Sequence, residues 1–223
     1  MIEWLWYRRS WVNWLFAPLA LLFALLTTAR RGLYRAGWIR SYRAPVPVIV
    51  VGNITVGGNG KTPVVLWLVE LLTKAGYHPG VVSRGYGGKA PHYPYLLHPA
   101  ATAAEAGDEP VLIYQRCGCP VAVAPKRATA VQLLVEQCGV DVIICDDGLQ
   151  HYALQRDIEL AVMDGERRLG NGWLMPMGPL RETPSRLRQV MAVICNGGQA
   201  DQTRSKCLCN PHHYEMFVPI MLR

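Results

Sequence analysis

The segment Gly52-Asn-Ile-Thr-Val-Gly-Gly-Asn-Gly-Lys-Thr-Pro63 constrains this chain more than any other. It follows the apolar, β-branched run Val48-Ile-Val-Val51 and opens a stretch, Thr62–Ala75, whose apolar positions recur at helical spacing. A strand, a glycine-rich turn and a helix in that order build a concave nest of backbone N–H groups at a helix N-terminus, which suits a phosphate group. The chemistry needs glycine where the backbone turns inward, a lysine for the outer phosphates and a hydroxyl for magnesium. Gly57, Gly58, Gly60, Lys61 and Thr62 supply them, although the general pattern has a glycine where this chain has Thr55. Pro63 suits the first helical turn, where its missing N–H costs nothing.

The rest of the chain from Pro47 fits an α/β fold. Gly80–Ser83, Val121–Ala124, Val142–Cys145, Leu160–Met163 and Val190–Cys195 are short apolar runs, and Lys126–Gln137 is helical in its spacing. Strands alternating with helices predict a mostly parallel sheet flanked by helices, with ligands at the carboxyl ends of the strands. Val142-Ile-Ile-Cys-Asp-Asp-Gly-Leu-Gln-His151 places two acids at such an end, where a phosphate-loop protein holds its metal. Alternation along a strand points Asp146 and Asp147 in different directions, so they cannot do identical jobs. Ser83-Arg-Gly-Tyr-Gly-Gly-Lys89 is a flexible basic loop in which Arg84 could clamp a phosphate. In Gly107-Asp-Glu-Pro110, Asp108 could be a general base or a helix cap, and spacing alone favours the cap. Asn171–Glu182 is a Gly/Pro-rich loop long enough to be functional.

The formal net charge of +7 is concentrated at the N-terminus, where residues 1–50 hold seven arginines against Glu3 alone. Between Arg9 and Arg30 lies an uncharged run, Ser10–Ala29, about as long as a helix that crosses ~30 Å of hydrocarbon. Basic charge confined to an apolar segment excludes a diffuse nucleic-acid patch and points to a membrane surface or an acidic amphiphile. We expect a helix lying in or dipping into a leaflet, with Trp4, Trp6, Trp11, Trp14 and Trp38 as interfacial anchors; the alternative is a helix packed on the domain itself. Pro18 either kinks that helix or marks its first turn. The seven cysteines are odd in number and several lie in apolar runs, which fits a reducing compartment. Cys117/Cys119 and Cys207/Cys209 lack the usual zinc spacing.

Taken in order, residues 51–63, Val82–Gly88, Gly107–Pro110, Asp146–His151 and Leu-Met-Pro-Met-Gly-Pro-Leu-Arg-Glu (174–182) closely resemble the tetraacyldisaccharide 4'-kinase family, the lipid A kinases of Gram-negative bacteria. That family also has threonine at the position of Thr55. The resemblance implies a P-loop NTPase-like sheet, with an N-terminal membrane-associating segment (1–45), a kinase domain (46–198) and a tail (199–223) that begins a further lobe. It implies that ATP with Mg²⁺ phosphorylates the 4'-hydroxyl of a tetraacyldisaccharide 1-phosphate at the cytoplasmic face of the inner membrane. Nucleic acid is not expected as a partner, and no protein partner is inferred.

Residue by residue, the resemblance gives Thr55, Val56, Gly57, Gly58, Asn59, Gly60, Lys61 and Thr62 to the ATP phosphates. Lys61 neutralises developing charge, and Thr62, Asp146 and Asp147 handle magnesium. Asp108 becomes the catalytic aspartate, while Arg84, Gln150, His151 and Glu182 line the site. Members of the family continue into a second lobe whose histidine pairs with that aspartate, and neither His212 nor His213 is assigned that role. A fragment or truncated product that binds nucleotide with little turnover is therefore expected. The competing readings are a membrane-associated P-loop ATPase and a non-catalytic nucleotide-binding remnant.

Overall fold

The computed structural model describes residues 6–7 and 11–197, and the backbone of 214–217. Expectations at Glu3, Trp4, Arg8, Arg9, Cys207, Cys209, His212 and His213 fall outside the described residues. The chain separates into two compact units, one of residues 40–52 and 61–159, the other of 1–39, 53–60 and 160–223.

In the first unit, β1 (Val48–Gly52), β2 (Pro79–Ser83), β3 (Tyr95–Leu96), β4 (Val121–Val123) and β5 (Val142–Asp146) form a sheet in the order β3-β4-β2-β5-β1. Every pairing is parallel except that of β3 with β4. All five residues of β1, β2 and β5 are buried, as strands covered on both faces require. Each of Val50, Val51, Val81, Ile143 and Ile144 is buried to within 1%, and burying one such side chain is worth about 1.5–3 kcal/mol. Helix α2 (Lys61–Lys74) buries Val64, Val65, Leu68 and Val69, one stripe of a 3.6-residue period. Helix α4 (Asp108–Cys117) packs against α2, and α5 (Arg127–Cys138) lies on β2 and β4. A single helical turn, α3 (Ala103–Ala106), precedes α4 and is closed by a capping box between Thr102 and Glu105.

The second unit contains β6 (Ile158–Asp164) from Leu160 onward, β7 (Ala192–Asn196) and β8 (Tyr214–Phe217), all parallel. Val190 and Met191, expected to open a strand, precede β7. A 3₁₀ turn, Pro184–Gln189, ends at Val190, and Met191 is half exposed. Near the N-terminus a 3₁₀ turn, Trp11–Phe16, runs into helix α1 (Ala17–Arg35). Pro18 therefore marks a first turn and not a kink. Only Ala20 of α1 is buried, whereas Leu19, Leu21, Leu22, Leu25 and Leu26 are each more than half exposed, so the helix is not a core helix. Among the described residues, Trp11–Arg35 is the one helical stretch long and apolar enough to cross a membrane. Arg35 lies in its last turn, where the helix dipole favours a cation, and Arg30 and Arg31 lie one turn earlier.

Candidate functional site

In the first unit, parallel register sets the acids. Pairing of Val48 with Ile143 through Val51 with Asp146 carries β5 to its carboxyl end at Asp146, level with the end of β1. Register with β2, in which Val82 lies opposite Cys145, brings Ser83 beside the same acid. The Ser83 hydroxyl donates to Asp146 Oδ2 at 3.5 Å, a long hydrogen bond, and Oδ1 is buried with no partner among the described residues. Asp146 is fully buried. Desolvation first, then the charge of Glu109, raises its pKa to about 7 against the pull of Lys61 and Arg127.

Asp147 does not continue the strand. Its φ of 47° turns the chain out of the sheet, so the two acids diverge through a break in backbone conformation, and not through strand alternation as expected. Its carboxylate is partly exposed, and Oδ1 lies 3.6 Å from Lys61 Nζ. Lys61 is the first residue of α2 and is itself buried. Lys61 and the two divergent carboxylates lie together, and Thr62 follows Lys61 in the first turn of the same helix. The unpartnered Oδ1 of Asp146 is an acceptor of the kind Mg²⁺ takes, and that ion needs only one or two carboxylates when phosphates supply the rest.

Two of the sequence motifs meet in this unit. Gly107 takes φ +88°, and a Cβ there would stand 2.6 Å from the Tyr86 carbonyl, so the 83–89 loop and the start of α4 pack backbone to backbone. The Lys89 amide adds a hydrogen bond to the Ala104 carbonyl at 2.8 Å. Gly107 is the N-cap, and Asp108 is the first residue of the helix with an exposed side chain, so it does not act as the cap that spacing alone suggested. Glu109, next to it, is the residue whose charge reaches Asp146. Arg84 is exposed, and Gln150 and His151 are half-buried in the turn after β5. That turn is held by the His151 amide donating to the Gly148 carbonyl and by Arg156 donating to the carbonyls of Leu149 and His151. Arg127, missed from sequence, is buried and contributes a cation to the surroundings of Asp146. Nothing in its helical spacing distinguishes it from a surface arginine.

The second unit contains the glycine-rich loop itself. Residues 54–56 are braced as a short ribbon against 179–181. Val56 N–H donates to the Pro179 carbonyl at 2.8 Å, Arg181 N–H to the Ile54 carbonyl at 2.7 Å, and Thr55 pairs with Leu180. The Val56 amide is thereby occupied. Thr55 is buried, and its hydroxyl accepts from Asn59 Nδ2 at 2.6 Å while its carbonyl accepts from Asn53 Nδ2 at 2.8 Å. This cross-tie explains why threonine stands where the general motif has glycine: the side chain pins one end of the loop to the other. Gly60 is different, with φ +78° and a position for Cβ only 2.0 Å from Asn196 Nδ2, so no other residue fits without displacing Asn196.

Glu182 follows the ribbon and is buried, with Oε2 3.4 Å from Arg186 Nε and 4.0 Å from Arg31 Nη1. Gln189 accepts from Arg31 and, at 3.0 Å, from Arg35. Helix α1 is thus tied to the segment that braces the loop. Farther along the N-terminal segment, the Trp6 indole donates to the Pro176 carbonyl at 3.0 Å and Trp14 meets Trp173 edge-on at 5.7 Å, so these two of the expected anchors also touch protein. Trp11 and Trp38 are largely exposed. The cysteines within the described residues, Cys117, Cys119, Cys138, Cys145 and Cys195, are free thiols.

The family model for tetraacyldisaccharide-1-P 4'-kinase (LpxK) matches residues 12–219. The tetraacyldisaccharide 4'-kinase of Tolumonas auensis is 90% identical over 200 residues, which are 90% of this chain and 61% of the relative. That of Aeromonas hydrophila is 68% identical over 199 residues, 89% of this chain and 60% of the relative. The crystal structure of LpxK from Aquifex aeolicus in complex with ATP superposes with a TM-score of 0.74 at 28% identity, covering 93% of this chain and 62% of that one. The chain therefore spans about three fifths of the length of the relatives it matches. Phosphate-loop geometry, paired acids at the end of β5 and a match running through nearly the whole sequence agree: the chain belongs to the tetraacyldisaccharide-1-P 4'-kinase family.

Proposed function

We propose that this chain performs the nucleotide-handling part of an ATP-dependent kinase that phosphorylates the 4'-hydroxyl of a tetraacyldisaccharide 1-phosphate. The observation that carries this reading is the Lys61–Asp147 ion pair beside a buried, unpartnered Asp146 oxygen, at the start of the helix that the glycine-rich loop enters. The ATP named for the Aquifex LpxK structure supports the choice of nucleotide. Residues 55–62 would surround the phosphates, with the amides of Gly57 to Thr62 as donors; Val56 would shape the loop through its ribbon. Lys61 would exchange Asp147 for phosphate oxygens. Thr62, Asp146 and Asp147 would hold Mg²⁺, which when bound neutralises charge on the transferred group.

Asp108 is exposed, as the first residue of α4. As general base it would take the proton of the 4'-hydroxyl while the O4'–P bond forms and the bond from the γ-phosphorus to ADP breaks. Arg84, Gln150, His151 and Glu182 are assigned to lining the site, Glu182 from the buried side of its loop. Residues 1–45 form the membrane segment, 46–198 the kinase domain and 199–223 the start of a further lobe. The exposed leucines of α1 and its terminal arginines support docking on the cytoplasmic leaflet of the inner membrane, where the lipid resides.

The test is to titrate the detergent-solubilised chain with ATP and Mg²⁺, then add the lipid disaccharide and follow labelled phosphate. Saturable ATP binding that is strongly weakened in K61A is expected, together with labelling at the 4'-oxygen by a full-length relative such as the Aeromonas hydrophila tetraacyldisaccharide 4'-kinase. Absence of ATP binding overturns the reading, and hydrolysis indifferent to lipid replaces it with an ATPase.

A further inference from the structure

Arg167 lies in the turn after β6, and nothing in its local sequence marks it. Its guanidinium is held by Asp164 and by the loop backbone, with Tyr7 as a further hydrogen-bond partner. Nε and Nη2 reach Asp164 Oδ2 at 3.0 and 2.9 Å, and Nη2 also donates to the Gly58 carbonyl at 2.7 Å. Nη1 stands 3.6 Å from where Gly57 would carry a Cβ. Asp164 is fixed before it meets the arginine, because Oδ1 accepts from the amides of Glu166 and Arg167 at 3.0 and 2.8 Å. Burial pushes its carboxyl up, but these bonds and the guanidinium outweigh that and hold it below the usual range.

Gly57 and Gly58 are the part of the loop with least of their own to hold them. Gly58 is exposed, with nothing near its Cβ position, and glycine backbone is the costliest to order. The ribbon fixes residues 54–56 and Asn196 crowds Gly60. Between those anchors only Asn53, at a long 3.4 Å from the Gly57 carbonyl, and Arg167 bond to the backbone of the two glycines among the described contacts. A loop whose amides must converge on phosphate needs its carbonyls turned away, and a charged donor on one such carbonyl selects that arrangement.

We infer that Arg167, oriented by Asp164, is a positioning residue for the phosphate loop: by holding the Gly58 carbonyl it orders the 57–59 backbone before nucleotide arrives. The inference rests on the reading of this loop as the ATP-phosphate site. Arg167 acts through the backbone, so it aids every nucleotide that uses the loop.

The experiment uses the full chain in detergent and compares R167A, R167K, D164N and K61A with wild type. ATP and ADP are titrated calorimetrically, amide exchange of residues 56–60 is followed without nucleotide, and the thermal midpoint is recorded. R167A is expected to weaken ATP and ADP alike by about tenfold, the scale of ordering one residue, and to speed exchange in the free loop. D164N, which keeps the arginine but loosens its hold, should show a smaller change of the same kind. R167K, able to reach one partner at a time, should recover part of the loss. Should R167A also lower the thermal midpoint, D164N and the exchange rates decide. Unchanged affinity and exchange in both variants, with ATP binding still lost in K61A, overturn the inference and leave the loop reading intact. A loss for ATP with none for ADP also overturns it, since that pattern means direct contact with the terminal phosphate. If K61A binds ATP normally, the loop reading itself fails.

Discussion

Lys61 Nζ lies 3.6 Å from Asp147 Oδ1, so the cation that would meet phosphate already has an anion in the free protein. With one partner about a third exposed, the pair is worth at most about 1 kcal/mol to stability, while a charge-assisted bond to phosphate is worth about 1.5–3 kcal/mol. K61A should therefore fold with nearly the wild-type thermal midpoint yet lose ATP affinity by about 10- to 100-fold. D147N should bind ATP no worse than wild type when magnesium is chelated, because Lys61 has lost a competitor, and worse when magnesium is present. Weaker binding under both conditions would place Asp147 outside the metal set.

The buried Asp146 makes stability depend on pH in a definite direction. Its pKa is raised from 3.8 to about 7 in the folded chain, chiefly by desolvation and next by Glu109. The folded state thus holds a proton that the unfolded chain gives up above about pH 4. This contribution is fully present below the unfolded pKa and is lost as pH rises through about 7. Thermal melts from pH 5 to 8 should show wild type losing ground steadily to D146N, whose amide does not ionise. Parallel curves for the two proteins would mean that the acid is not desolvated.

Glu182 carries a second buried charge, against Arg186, which is 2% exposed. Deleting one partner of a buried pair costs about 3–5 kcal/mol because the other charge is left behind. E182A should lower the thermal midpoint by roughly 10 °C for a chain of this size. R31A should cost less, since its contact is longer and more exposed. Equal and small effects would show that the acid is solvated in solution.

Helix α1 predicts a separation of folding from localisation. Leu22, Leu25 and Leu26 are each more than half exposed, so L22E/L25E/L26E removes little that the folded protein uses. Surface changes of this kind usually alter stability within about 0.5 kcal/mol per site. Sedimentation with anionic vesicles should nevertheless fall sharply. Unchanged vesicle binding would assign membrane attachment to another part of the chain.

How much of this was legible in the sequence follows the range of the interactions involved. Runs such as Val142–Cys145 and the helical stretch Thr62–Ala75 are local patterns, and they lie in β5 and α2 with ends displaced by a residue. β3 escaped notice because two residues carry no period. The paired acids were visible, but their divergence comes from the left-handed turn at Asp147, which no spacing announces. Arg167 and Gly58 are separated by 109 residues and Arg31 and Gln189 by 158, so both pairs look like unremarkable polar surface until the chain has folded.

The ribbon between residues 54–56 and 179–181 also has a consequence in time. A nascent chain emerging from its N-terminus exposes the glycine-rich loop early, yet the strand that braces that loop is made more than a hundred residues later. Contacts of such separation form late because the intervening chain must first be closed into a loop. Until Arg181 has left the ribosome the loop lacks its brace, so the backbone of residues 54–56 is fixed only well after it has been made.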